Sequence, residues 1–398
     1  MKSLAVLALL LLPGSAPVRT GLEVLVRDGF KPLQGARVGL VTNHSAVDPS
    51  RTSIIDVLAA GRGFTLAAIF SPEHGLRGTA DAAVAGGKDE KTGLPVHSLY
   101  GKTRRPTAEM LQGLDVLVFD IQDVGARFYT YITTRAFVME AAKEHGKRVV
   151  VLDRPNPIGG VAVEGPVLEE ALRGGFTGYF PLPTRHGMTV GELALLFNKE
   201  YGIGCALEVV RMEGWKRSML FDETGLPWVN PSPNMRSLEA ALSYPGLGAL
   251  EATNLSVGRG TPKPFHWYGA PWVDADRLCA DLNARNLPGV RFKSAAFTPR
   301  PQPGMPRYPH TDRECRGFEV EIADRAAYRP VSTALHVLDS LLRLHPKEFS
   351  FEKACGMIGL RSIEEDLRAG KKPAEIEKSW EAGLEQFRER RRAFLLYE

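Results

Sequence analysis

The chain has 398 residues, 44% apolar and 24% charged, enough for a sizeable core and about two or three domains. The 50 Lys and Arg residues outnumber the 46 Asp and Glu by a net charge of +4, with both signs interspersed. Without a basic block, this balance argues against a nucleic-acid partner and is compatible with an acidic substrate.

Lys2, the apolar run LAVLALLLL and the small residues of PGSAPV read as a secretory signal peptide over residues 1–16. The protein is therefore expected to be exported, to a periplasmic or extracellular location. The apolar run is too short to span a bilayer and no Cys follows it, so no membrane anchor is expected after cleavage. Next come ARVGLVT (36–42), FTLAAIF (64–70), DVLVFDI (115–121) and KRVVVLD (147–153), apolar runs of the kind buried on both faces of a parallel sheet. Helical patterns separate or follow them at 51–61, 131–146 and 189–202, and another strand is expected at 206–211. This βαβ alternation predicts a Rossmann-like, doubly wound, mainly parallel sheet over residues 17–248.

The last third has another rhythm. A helix at 274–285, strands at 289–297 and 317–323 and a helix at 331–345 predict a smaller α+β domain over residues 249–398. The Pro-rich stretch TPRPQPGMPRYPHTD between its strands is expected to wrap over the surface. Cys205, Cys279, Cys315 and Cys355 are widely spaced and read as small core residues, without a pairing to choose. Neither C-x-x-C nor H-E-x-x-H occurs, and neither a metal nor another cofactor is expected.

Segments following the first four strands emerge on the carboxyl edge of an open parallel sheet, where ligands bind. TNHSA, SPEHG, QDVGARFYTY and RPNPIGG thereby converge, bringing Asn43, His44, Glu73, His74, Asp120, Asp123, Arg127 and Asn156 towards one crevice. No glycine-rich turn opens the first helix, and both a P-loop and a G-x-S-x-G elbow are absent. The candidate chemistry is carried by carboxylates, which suits glycoside hydrolysis: one acid protonates the leaving oxygen and a second group assists at the anomeric carbon. Glu73 fits the proton donor, since it follows an apolar strand and desolvation favours a neutral acid. Glu164 in VEGP, Glu251 in LEATN and Asp123 are the candidates for the second group.

The motifs TNHSA, FSPEHGLRG, PVHSLYG, DVLVFDIQDVGARFYTY, LDRPNPIGG, VEGP, RHGMTVGELA, SPNM, YPGLGALEATNLSVGRGT and GAPW, in this order, resemble the NamZ family of exo-β-N-acetylmuramidases. This is glycoside hydrolase family 171, formerly a domain of unknown function. The resemblance runs from about residue 21 nearly to the end. It implies a Rossmann-like domain joined to a smaller one, with an active-site cleft between them. It also implies release of terminal β-1,4-linked N-acetylmuramic acid from the non-reducing ends of peptidoglycan fragments such as MurNAc-GlcNAc disaccharides. The family's catalytic glutamate falls on Glu73, and for the second group the resemblance ranks Glu164 ahead of Glu251. The lactyl carboxylate of the substrate needs a cation, for which Arg77, Arg127, Arg154 and Arg259 are candidates, Arg127 first. Tyr129, Tyr131, Trp267 and Trp272 are candidates to stack on sugar, and His44 and His74 to orient Glu73 or bind hydroxyls. The competing class is an exported muropeptide-binding protein without turnover, which would have no need of a proton donor at Glu73.

Overall fold

The computed structural model describes residues 17–77, 86–303, 305–351 and 354–398; the expected signal peptide lies outside them. The first unit comprises α1 (Gly21–Arg27), β1 (Arg37–Thr42), α2 (Ile54–Ala59), β2 (Thr65–Ser71), β3 (Gly87–Lys88), β4 (Pro95–Ser98), β5 (Val116–Asp120) and α3 (Tyr131–Glu144). It continues with β6 (Arg148–Leu152), β7 (Glu164–Val167), β8 (Pro183–Arg185), α4 (Val190–Glu200) and β9 (Ala206–Val210). Seven of these strands form one sheet in the order β3-β4-β2-β1-β5-β6-β9, parallel except for β3 against β4.

The continuous apolar runs explain this sheet. On β5, Leu117 and Phe119 enter one core while Val116 and Val118 enter the other, and β6 divides Val149 and Val151 from Val150 and Leu152 in the same way. Helices α3 and α4 cover the first face, and α1 and α2 the second. This two-sided burial is the doubly wound arrangement expected from the sequence. A fully buried Leu or Phe contributes roughly 1.5–3 kcal/mol by leaving water. A capping box between Thr189 and Glu192 starts α4 where the pattern placed it. Helix α2 is shorter than the expected 51–61. Arg51 is left-handed (φ 65°), the Thr52 amide donates to Asp48, and Ser53 caps Ile55, so the helix begins only at Ile54.

The second unit contains α5 (Leu238–Leu247), β10 (Trp267–Ala270), α6 (Ala275–Ala284), β11 (Val290–Phe297), β12 (Cys315–Ile322), α7 (Pro330–Leu344), α8 (Ala354–Ile358), α9 (Ile363–Arg368) and α10 (Pro373–Arg391). Its strands form an antiparallel sheet in the order β10-β12-β11. Helix α5 escaped the sequence reading because Pro245 and Gly246 interrupt it. Gly246 is required by packing: a Cβ there would meet the Pro330 carbonyl oxygen at 1.9 Å, at the start of α7. The chain end returns to the first unit, where Arg391 donates to the carbonyls of Gly160 and Gly187 and the Tyr397 hydroxyl donates to Asp153. All four cysteines are free thiols, three of them buried. Among the described residues, no helix is long and apolar enough to cross a membrane.

Candidate active site

The sheet reverses its direction of growth at β1, which lies between β2 and β5. Chain segments leaving neighbouring strands on the two sides of such a switch point frame a crevice. Glu73 follows β2 in a tight turn closed by the Gly75 amide donating to the Pro72 carbonyl (3.1 Å). His74 occupies the left-handed region in this turn, φ 71°, a strained conformation for a residue with a Cβ. From the other side, the segment after β5 brings Thr130, whose hydroxyl donates to Glu73 Oε2 at 2.6 Å. The carboxyl is thus fixed by the residue that opens α3.

The second unit supplies the opposite wall. Glu251 follows α5, and its Oε1 lies 2.5 Å from Nε of Arg259. Glu73, His74, Glu251 and Arg259 line a cavity of about 290 Å³ together with Tyr129, Thr130, Ser232, Met235, Tyr244 and Phe265. Its floor includes the rings of Tyr129, Tyr244 and Phe265, packed edge to face with centroids 5.9 and 4.9 Å apart, and Tyr131 stands edge to face against Tyr129 (4.9 Å) outside the lining. Burial holds the hydroxyls of Tyr129 and Tyr244 well above the usual phenol range. Nearby carboxylates add to this, Glu73 at both and Glu251 at Tyr244. These phenols therefore remain neutral hydrogen-bond donors beside the two glutamates.

Several expected site residues support this cleft from behind. Asn43 donates to the Tyr131 hydroxyl (3.0 Å) and accepts from Ser45, while Tyr131 donates to the Pro231 carbonyl. His44 bonds the Asn230 carbonyl through Nε2 (2.7 Å), and burial lowers its proton affinity. Asp123 is buried and accepts from the Gly125 amide, and Asn156 bridges the Met188 carbonyl and the Ile158 amide. None of these four lines the cavity.

Other expectations are corrected. Glu164 pairs with Arg185 across the β7–β8 ladder and lines a separate cavity beside α10, so it does not share the cleft with Glu73. Arg127 spends its guanidinium on the carbonyls of Leu182, Gly356 and Met357, behind the cleft wall that Met357 forms. Burial pushes its proton affinity down to about 9, the opposite of a site prepared for an anion. Arg154 is locked on Asp120 beneath the sheet edge. Arg77 is 66% exposed and lies against Asp89, outside the cleft lining. Trp267 packs on Phe297 and donates to Glu319, and Trp272 packs on His345 and Phe349, so neither reaches the site. Of the four arginines, Arg259 stands in the cleft. The reading from sequence missed Thr130, Ser232, Met235, Tyr244 and Phe265, although RFYTY, SPNM and YPGLG contain four of them. His/Cys/Asp/Glu groups able to hold a metal are absent among the described residues.

A Rossmann-like sheet and a smaller α+β unit meet at a cleft that Glu73 and Glu251 both line, an arrangement of the kind glycoside hydrolysis uses. Residues 38–239 match the family described as exo-β-N-acetylmuramidase NamZ, N-terminal, and residues 242–397 match its C-terminal counterpart. The chain belongs to the NamZ family. It is 47% identical over 388 residues to the peptidoglycan β-N-acetylmuramidase NamZ of Bacillus subtilis (strain 168), covering 96% of this chain and 91% of that protein. Two crystal structures of DUF1343 family proteins from Bacteroides fragilis NCTC 9343 share the fold. One has a TM-score of 0.88 at 38% identity and the other 0.77 at 31%, each covering 96% of this chain and 99% of the other.

Proposed function

We propose that this protein is an exo-β-N-acetylmuramidase that hydrolyses terminal β-1,4-linked N-acetylmuramic acid from the non-reducing ends of peptidoglycan fragments, MurNAc-GlcNAc disaccharides included. The observation that carries the reading is the placement of Glu73 and Glu251 on one cavity, in a chain closely similar to a peptidoglycan β-N-acetylmuramidase. Glu73 protonates the leaving glycosidic oxygen, its carboxyl aimed by Thr130. Glu251, paired with Arg259, is the second carboxylate and stabilises the positive charge that develops at the anomeric carbon. Arg259 also offers the cation for the lactyl carboxylate. The signal-peptide pattern of residues 1–16 supports action outside the cytoplasm, where peptidoglycan lies.

Glu73→Gln preserves shape and removes the transferable proton. Turnover of the disaccharide is expected to fall by about 10²- to 10⁴-fold, and that of an aryl glycoside with a good leaving group by much less. Digestion of long glycan strands by the wild type should release muramic acid monomers from the first minutes. Near-wild-type activity of the variant, or early internal fragments, overturns the reading.

A further inference from the structure

Glu73, His74, Glu251 and Arg259 line two chambers, each of about 290 Å³. The first ends on the buried rings of Phe128, Tyr129, Tyr244 and Phe265. The second is formed by residues 255–257 and by residues 306–309 of the Pro-rich stretch. We infer that the second chamber seats the sugar on the leaving side of the bond, and that Arg307 determines affinity for it. This rests on the exo-muramidase reading and assigns the two halves of its substrate.

A glycosidic oxygen has one sugar on each side, so a general acid must stand where two sugar sites meet. The four shared residues occupy that junction. An exo-acting enzyme needs a closed end for the terminal sugar, which the aromatic floor of the first chamber provides. The leaving sugar is left with the other chamber.

That second wall is anchored. The Arg300 amide donates to the Gly260 carbonyl (2.9 Å), His310 Nε2 donates to the Asn254 carbonyl (2.8 Å), and the Asp312 amide donates to the Pro299 carbonyl (2.9 Å). Tyr308 is buried between Pro306 and Pro309, both of which remain exposed. A stretch tied at both ends and stiffened by proline loses little freedom when a ligand settles on it. Pro306 and Pro309 offer apolar surface to a sugar ring, and the exposed Arg307 offers a fork of donors to its hydroxyls.

The test measures binding in a Glu73→Gln background by titration calorimetry, with MurNAc-β-1,4-GlcNAc and with free MurNAc as probes. Adding Arg307→Ala, at an exposed position, should weaken disaccharide binding about five- to tenfold and change monosaccharide binding by less than about twofold. Equal weakening for both probes, or no weakening of the disaccharide, overturns the inference while leaving the exo-muramidase reading intact. Failure of the parent protein to bind either probe overturns both.

Discussion

Two of the molecule's carboxylate–arginine pairs look alike in chemistry and differ in place. Glu164 and Arg185 stand 2.6 Å apart with side chains 12% and 8% exposed, as opposed partners in the β7–β8 ladder. Glu251 and Arg259 stand 2.5 Å apart with 30% and 19% exposed, at the cleft. Arg185 also donates to the Ile158 carbonyl, so the first pair fastens a strand to a neighbouring turn. Arg259 lies 5.3 Å from the centre of the Phe265 ring, in the floor of the cavity. A carboxylate beside a glycine turn thus carries no functional message by itself. What separates the two is company: Glu251 lines the same cavity as Glu73, and the cavity that Glu164 lines holds neither Glu73 nor Glu251.

The comparison predicts opposite failures on mutation. Glu251→Gln should cut disaccharide turnover by about 10²- to 10⁴-fold while leaving the folded protein close to its normal melting temperature. Glu164→Ala should leave a buried guanidinium unpaired and cost about 3–5 kcal/mol of stability, while the folded fraction turns over substrate normally. Urea unfolding alongside rates per folded molecule checks both. Loss of catalysis in the Glu164 variant without loss of stability would break the comparison and restore Glu164 as the second carboxylate.

How much of this was legible in the sequence follows from what each signal measures. Apolar runs report burial on both faces, so β1, β2, β5 and β6 were readable, and with them the edge on which Glu73 emerges; β9, half-exposed at the sheet edge, was readable from its place after α4. Strand ends identify a crevice but not which side chains face it. Asn43, Asp123 and Asn156 leave the same edge as Glu73, yet they turn inward to satisfy the backbone of their own turns, and Arg127 turns inward to the distant carbonyls of Leu182, Gly356 and Met357, a need that any buried loop has. Glu251 and the wall at 306–309 come from sequence-distant segments. The approach of Glu251 to Glu73 depends on how α5 packs against α7 at Gly246, and the placing of the 306–309 wall on the bonds to Gly260 and Asn254, neither of which periodicity reports.

A third carboxylate sharpens the contrast with the smallest expected effect. Asp123 is 5% exposed, with Oδ2 accepting from the Gly125 amide at 2.7 Å and Oδ1 without a hydrogen bond. Burial pushes its proton affinity up to about 7, against the pull of the Gly125 amide and Arg135. His186 faces it at 3.9 Å and is driven down to about 3, first by burial and then by Arg135, Arg391, Arg185 and Arg127. The Asp123 carboxyl therefore binds a proton in the native state over a pH range in which the unfolded chain has released it. A group raised in this way contributes stability that is fully present below about pH 4 and is lost as pH rises through about 7. His186 acts in the opposite sense, since it stays neutral in the native state while the unfolded imidazole gains a proton below about 6.5. Asp123→Asn keeps the shape and an acceptor for the Gly125 amide but has no proton to lose. In the difference between the two proteins the unfolded His186 cancels. The variant's stability relative to wild type should therefore improve by on the order of 2 kcal/mol between pH 5 and pH 8. Unfolding free energies in urea across that range give the measurement. Parallel curves would show that Asp123 is ionised throughout, and a collapse of turnover in the well-folded variant would place its carboxyl in contact with the sugar.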